Sequence, residues 1–201
     1  MTKNDNIGII LLAAGASSRF KKNKLDWVID RSSLLKKTLV AAIDSIAKEI
    51  LIVTGAYSQT EEKITSEVKA TFVFNQNWEK GIGSSIKCGL RNILNRNPLM
   101  DAVIISVCDQ PFISSDIFNG LINKYLRTNK KIIASEYTHS LGVPVLYDRS
   151  LFEDILNIPD NQGAKKYIIE RAEKDIIATF PFPKGEIDID TIEDLKKLTL
   201  T

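Results

Sequence analysis

The chain has 201 residues, 44% hydrophobic and 26% charged, with a net charge of +2. This composition excludes a disordered or fibrous chain and suits one globular domain over residues 1–201, with 1–6 expected to be a flexible N-terminus. The 27 basic residues are nearly matched by 25 acidic ones, so the chain lacks the charge excess of a nucleic-acid binder. No stretch approaches the ~18 apolar residues of a membrane helix. The polar first six residues do not open a signal peptide. The expectation is a cytoplasmic protein with neither nucleic acid nor membrane as partner.

In chain order, 7–14 is a continuous apolar run ending at Gly15, as in a strand buried on both faces of a parallel sheet. Apolar residues at Leu34, Leu35, Leu39, Ala42, Ile43 and Ile46 predict a helix over 33–48. Residues 49–54 read as a second buried strand, 58–68 as a polar helix and 70–75 as a short strand. The turn Gly81-Ile82-Gly83 opens a helix over 84–95. A buried strand over 101–108 ends at Asp109-Gln110-Pro111, and 115–126 is helical. Strands are expected at 131–137 and 142–147, the second with an antiparallel option, and helices at 149–156 and 162–172. Short strands at 175–180 and 186–189 precede a closing helix at 191–198. Alternating strands and helices predict an α/β fold of three layers, Rossmann-like, with a mixed, mostly parallel sheet.

Two cysteines, Cys88 and Cys108, form no CxxC pair and read as reduced core residues. The single histidine, His139, excludes a multi-histidine zinc site and argues against a Ser-His-Asp triad, and it reads as a loop residue.

Four segments could carry chemistry. In Leu12-Ala13-Ala14-Gly15 and onward to Arg19 and Lys24, small residues let backbone N–H groups approach an anion, Gly15 tolerates positive φ, and two cations follow. Neither GxxxxGK[ST] nor GxGxxG is present. In Gly81-Ile82-Gly83-Ser84-Ser85, amides and hydroxyls at a helix N-terminus suit an anion or a polar base. Asp109, at the end of a buried strand, suits Mg²⁺, a hard cation that prefers oxygen. In Asp188-Ile189-Asp190-Thr191, alternation puts the two carboxylates on one face, although Asp190 or Thr191 equally suits the cap of the last helix.

The first segment resembles the LAAGxSxRxGxxK signature of the nucleotidyltransferase superfamily that includes molybdenum cofactor cytidylyltransferase, the guanylyltransferase of the same pathway and sugar-phosphate nucleotidylyltransferases. Gly81–Ser85 is similar to that group's G[MI]xSS, Asp109-Gln110-Pro111 to its DQP or DMP, and Asp188–Asp194 to its DIDTPEDL ending. Gly142-Val143-Pro144-Val145 and Asn161-Gln162-Gly163-Ala164-Lys165 are looser matches to segments that face the acceptor. The resemblance implies that Leu12, Ala13, Ala14, Gly15, Arg19 and Lys24 bind the triphosphate and that Gly83, Ser84 and Ser85 bind the base. It further implies that Asp109, Asp190 and Asp188 hold Mg²⁺. Arg19, Lys24 and Asp109 would then act directly in catalysis.

Ala14, where guanylyltransferases carry glycine, tilts the nucleotide towards CTP. The implied reaction moves CMP to the phosphate of molybdenum-bound molybdopterin, releasing pyrophosphate, with a molybdoenzyme as a downstream partner. The alternatives are another nucleoside triphosphate, another phosphorylated acceptor such as a sugar or polyol phosphate, or a non-catalytic nucleotide- or cofactor-binding module. Lys21 for glycine, Asn161 for aspartate, Lys165 for arginine and Ile192 for proline depart from the pattern.

Overall fold

A computed structural model describes residues 5–15, 28–29, 32–56, 70–166 and 174–187. The helices read at 58–68 and 191–198 and most of that at 162–172 lie outside the described residues, as does most of the N-terminal segment. No helix among the described residues is long and apolar enough to cross a membrane.

The strands are β1 (Ile7–Ala13), β2 (Val28–Ile29), β3 (Ser32–Ser33), β4 (Glu49–Thr54), β5 (Thr71–Phe74), β6 (Ala102–Val107), β7 (Ile132–Glu136), β8 (Leu141–Asp148) and β9 (Ile177–Pro181). The α-helices are α1 (Leu34–Ile43), α2 (Ile82–Arg96), α3 (Ser115–Arg127) and α4 (Phe152–Leu156). Seven strands form one sheet in the order β5-β4-β1-β6-β8-β7-β9, while β2 and β3 make a separate two-stranded ribbon. β8 pairs antiparallel with β6 and β7, and the other pairs of the large sheet are parallel. The expected mixed, mostly parallel sheet is observed, as is the antiparallel option for the strand after 141.

β1 is buried along its whole length because helices cover both faces. Ile7, Ile9 and Leu11 pack with Leu35 and Leu39 of α1 and Phe118 and Leu121 of α3. Ile10 and Leu12 pack with Ile86 and Leu90 of α2 and Phe152 and Ile155 of α4 on the other side. Two apolar cores enclosing one sheet give the three layers.

Several boundaries differ from expectation. α1 starts on Ser33, whose Oγ accepts from Lys36 N at 3.2 Å, and stops at Ile43 rather than 48. Asn119 Oδ1 accepts from Ile46 N at 2.8 Å, taking that amide out of any helical ladder and leaving the Ile46 side chain exposed. α2 begins at Ile82, so Ile82 and Gly83 form its first turn rather than a preceding loop. Gly81 before it has φ 118°, a left-handed value that favours glycine. The strand read at 186–189 is corrected at its start, because Pro183–Glu186 is a 3-10 turn.

Candidate active site

The order β5-β4-β1-β6 places the topological switch point between β1 and β6. There, successive connections leave the sheet in opposite directions and open a crevice at the strand ends. The last pairs are Phe74 with Thr54, Thr54 with Ala13, and Val107 with Leu12. Asn75, Gly55, Ala14 and Asp109 follow the ends of four neighbouring parallel strands on one edge of the sheet. Residues from four separate sequence segments thus lie on one rim, those of β1 and β6 next to each other in the strand order.

On this rim Ala14 is buried and Gly15 is exposed. Its φ is not in the positive range, which corrects the conformational reason for a glycine there. A Cβ on Gly15 would meet no described residue within 4 Å. Gly15 is exposed, which would let a ligand approach its backbone closely. Behind it, a Cβ on Gly55 would lie 2.7 Å from both Ala14 O and Trp78 Cβ, so the end of β4 buttresses the β1 loop. Arg19 and Lys24 lie outside the described residues, as does Lys21.

At the start of α2 the groups expected to be open are already engaged. Gly83 N and Ser84 N both donate to Asp160 O, at 2.8 and 3.3 Å, because the loop after α4 folds against this helix terminus. Ser84 and Ser85 are buried, and Asn75 Nδ2 donates to both hydroxyl oxygens, at 2.9 and 3.0 Å. Ser84 Oγ in turn donates towards Asn77 O and Gly81 O, each at 2.8 Å. Lys87, one turn on, donates to Ile158 O at 2.9 Å and pairs with Asp160 Oδ1 at 2.5 Å. The hydrogen bond from Lys87 holds the Asp160 carboxyl below its ordinary range, with the charges of Lys87, Lys80 and Arg91 acting the same way. The 81–85 segment and the 158–162 segment therefore form one unit.

Asn75 is the functional candidate that pattern reading missed. It had served only as the last residue of a strand, and its partners are nine and ten residues away on another element.

Asp109 follows the buried Cys108, whose thiol is pushed well above its usual range by burial, with the Asp109 charge adding to it. Cys88 is half-buried and also free, so both cysteines are thiols as expected. Gln110, 1% exposed, sends its Nε2 towards Gly185 O at 2.6 Å, Tyr137 Oη at 2.7 Å and Val143 O at 3.2 Å. Gln110 was also missed: it lay inside a noted motif, but its partners sit 27 to 75 residues away. His139 is exposed in the β7–β8 connection.

No three His, Cys, Asp or Glu residues gather into a metal cage among the described residues. A cage is what zinc or a high-affinity calcium site requires, whereas Mg²⁺ bound with a triphosphate needs only one or two carboxylates plus phosphate and water oxygens. Asp109 at the crevice fits that demand. Asp188 and Asp190 lie outside the described residues, two and four positions after Glu186 and the end of the Pro183–Glu186 turn.

The curated purine catabolism protein PucB of Bacillus subtilis is 24% identical over 167 residues, spanning 79% of this chain and 78% of that protein. Among solved structures, Rv0371c of Mycobacterium tuberculosis superposes with a TM-score of 0.84 at 18% identity, covering 98% of both chains. The same protein is known in complex with manganese, with a TM-score of 0.77 over 98% of this chain and 99% of that one. A nucleotidyl transferase from Methanothermobacter thermautotroptrophicus superposes at 0.79 with 16% identity, over 97% of this chain and 96% of that one. These likenesses agree on the fold. The model of the MobA-like NTP transferase domain matches residues 9–175, from within β1 to the turn before β9, so both sides of the crevice lie inside it and the chain belongs to that nucleotidyltransferase family.

Proposed function

We propose that the chain is a Mg²⁺-dependent cytidylyltransferase that transfers CMP from CTP to the phosphate of molybdenum-bound molybdopterin, releasing pyrophosphate. The observation that carries this reading is the rim itself: the exposed Gly15 and the carboxylate-bearing Asp109 follow the ends of two neighbouring strands at the switch point. A phosphate-binding turn alone would serve any anion. A carboxylate beside it is suited to a cation shared with that anion.

The acceptor in this reaction is a phosphate monoester, whose second pKa is about 6, so it is already mostly dianionic near neutral pH. It needs no strong general base, in keeping with a chain whose one histidine sits in an exposed hairpin connection. What the residues must supply is position and charge. Leu12, Ala13, Ala14 and Gly15 would shape the turn around the triphosphate. Arg19 and Lys24 would neutralise the departing pyrophosphate. Asp109, with Asp190 and Asp188, would hold Mg²⁺. Held by these carboxylates, Mg²⁺ would supply positive charge against the phosphates of the triphosphate.

The base would lie against the 81–85 segment. Because Gly83 N and Ser84 N already donate to Asp160 O and the Ser84 and Ser85 side chains are buried, the base would meet the outer edge of the Gly83–Ser85 segment rather than a free helix terminus. The direct coupling of this segment to 158–162 supports an acceptor site next to the base site. We place the enzyme in the cytoplasm, as one functional unit over 1–201, handing its product to a molybdoenzyme.

The test is pyrophosphate release from each of the four nucleoside triphosphates in Mg²⁺, with and without molybdenum-bound molybdopterin. Release with a sugar or polyol phosphate instead would move the acceptor assignment. Binding of CTP with no release under any combination would favour the non-catalytic module.

A further inference from the structure

We infer that Lys184 binds the phosphate of the acceptor, from the side of β6 opposite to the Gly15 turn. The inference rests on the nucleotidyl-transfer reading of the site.

The sheet brings Lys184 to the crevice from its far edge. β7 and β9 run parallel to each other and opposite to β8, which in turn runs opposite to β6. β9 therefore ends on the same rim as β6 and β1. Beyond Pro181 the chain turns back over the neighbouring strand ends. Phe182 N donates to Glu136 O at 2.8 Å, at the end of β7. Three residues on, Gly185 O accepts from Gln110 Nε2 at 2.6 Å, just past the end of β6. The same nitrogen lies 3.2 Å from Val143 O of β8. Gly185 is buried, and a Cβ there would strike the rings of Phe182 and Tyr137, so the turn is packed down onto the rim. Both ends of the span 182–185 are thus fixed, and Lys184 lies between them.

The side chain is held too. Lys184 Nζ lies 4.8 Å from the centroid of the Phe112 ring, three residues after Asp109. A ring face attracts a cation without using up its N–H donors. Lys184 is exposed, and no carboxylate among the described residues pairs with it. The ammonium therefore keeps both its charge and its donors for a ligand. Contact with the ring also spares part of the rotamer freedom that a lysine loses on binding an anion.

Position decides which anion. β6 lies between β1 and β8 in the sheet. The Gly15 turn follows β1, whereas the turn bearing Lys184 reaches β6 from the β8 side. In transfer at the α-phosphorus, the entering and leaving oxygens are roughly in line on opposite sides. An oxygen of the acceptor phosphate forms the new bond to the α-phosphorus. The bond to the oxygen bridging the α- and β-phosphates breaks, and pyrophosphate leaves with that electron pair. With the triphosphate on the β1 side, the acceptor phosphate enters from the β8 side, where Lys184 stands. A compact ammonium can face a phosphate monoester in any rotation, and the dianion of that ester gives it full charge to attract.

The test is steady-state pyrophosphate release by the full chain in Mg²⁺, with CTP and molybdenum-bound molybdopterin each varied in turn. Lys184→Gln should raise the acceptor KM about 10-fold, the lower end of the cost of losing a charged hydrogen-bond donor, because the site is open to water. Its CTP KM should stay within twofold of wild type and its Tm should not move. Lys184→Arg keeps the charge and should bring the acceptor KM back to within about threefold. A second readout needs no variant, and so decides the matter should Lys184→Gln not fold. The acetylation rate of Lys184, followed by peptide mass spectrometry, should fall when the acceptor joins a non-hydrolysable CTP analogue, and not with the analogue alone.

An acceptor KM within twofold of wild type in Lys184→Gln would overturn the inference. So would an equal rise in the CTP KM, or protection of Lys184 by the analogue alone, either of which would put Lys184 on the triphosphate. If the wild-type chain releases pyrophosphate with no triphosphate and acceptor, the reading of the site fails as well. If it turns over and the variants match it, only the role of Lys184 fails.

Discussion

A carboxylate at position 109 lies on the same rim as the β1 loop because β6 pairs parallel with β1. Replacing it by an amide keeps size but turns one acceptor oxygen into a donor and removes the charge a metal would need. Asp109→Asn should lower turnover by roughly 10³-fold or more, equivalent to several kcal/mol of transition-state stabilisation. Its Tm should stay within a few degrees of wild type, and a variant with wild-type rates would refute the metal role. Asn75 acts differently. Its Nδ2 serves two buried hydroxyl oxygens, so Asn75→Ala removes the donor that both accept from. Urea denaturation should show a loss of about 1–3 kcal/mol. The nucleotide KM should rise in the same variant, since the 81–85 segment loses its anchor. The place of Asp109 just after a buried strand was readable because strand, carboxylate and proline are contiguous. Asn75 and Gln110 were not, because their partners are distant in sequence and only tertiary pairing brings them near.

At the scale of elements, the N-terminus of α2 and the loop after α4 act as one piece. The carbonyls of Pro159, Asp160 and Gln162 crowd the space a Cβ would need at Gly83. Gly83→Ala should therefore force the two segments apart and cost about 1–3 kcal/mol, measured by chemical denaturation. Wild-type stability would show that the loop yields freely. The same contacts explain why a helix-start pattern could mislead: glycine and serine at a helix start suggest open amides, yet here a backbone carbonyl fills that role. The fate of α1 is similar. The apolar period runs on to Ile46, but Asn119, on α3, takes the Ile46 amide and the helix stops at Ile43. No local signal reports a partner 73 residues away.

For the whole molecule, the three-layer arrangement was legible because runs such as Ile7–Ala13 are apolar at every position, which only a strand covered on both faces requires. The strand order was not written in those runs, yet it creates the rim of Asn75, Gly55, Ala14 and Asp109. Global stability should also fall in acid. Asp160 and Asp5 are both held below their ordinary value of 3.8, chiefly by hydrogen bonds from Lys87 and Lys48. A lowered carboxyl stabilises the fold fully above its ordinary value and loses that contribution as pH falls through the lowered one. The Tm should thus drop below about pH 3.8, and Asp160→Asn should flatten part of that drop. An identical acid limb in the variant would remove Asp160 from the cause.

Pyrophosphate release tests the central claim most directly. With Mg²⁺, CTP and molybdenum-bound molybdopterin together, release should be rapid; it should need all three and be much slower with GTP. No release with any nucleoside triphosphate and phosphorylated acceptor would contradict it.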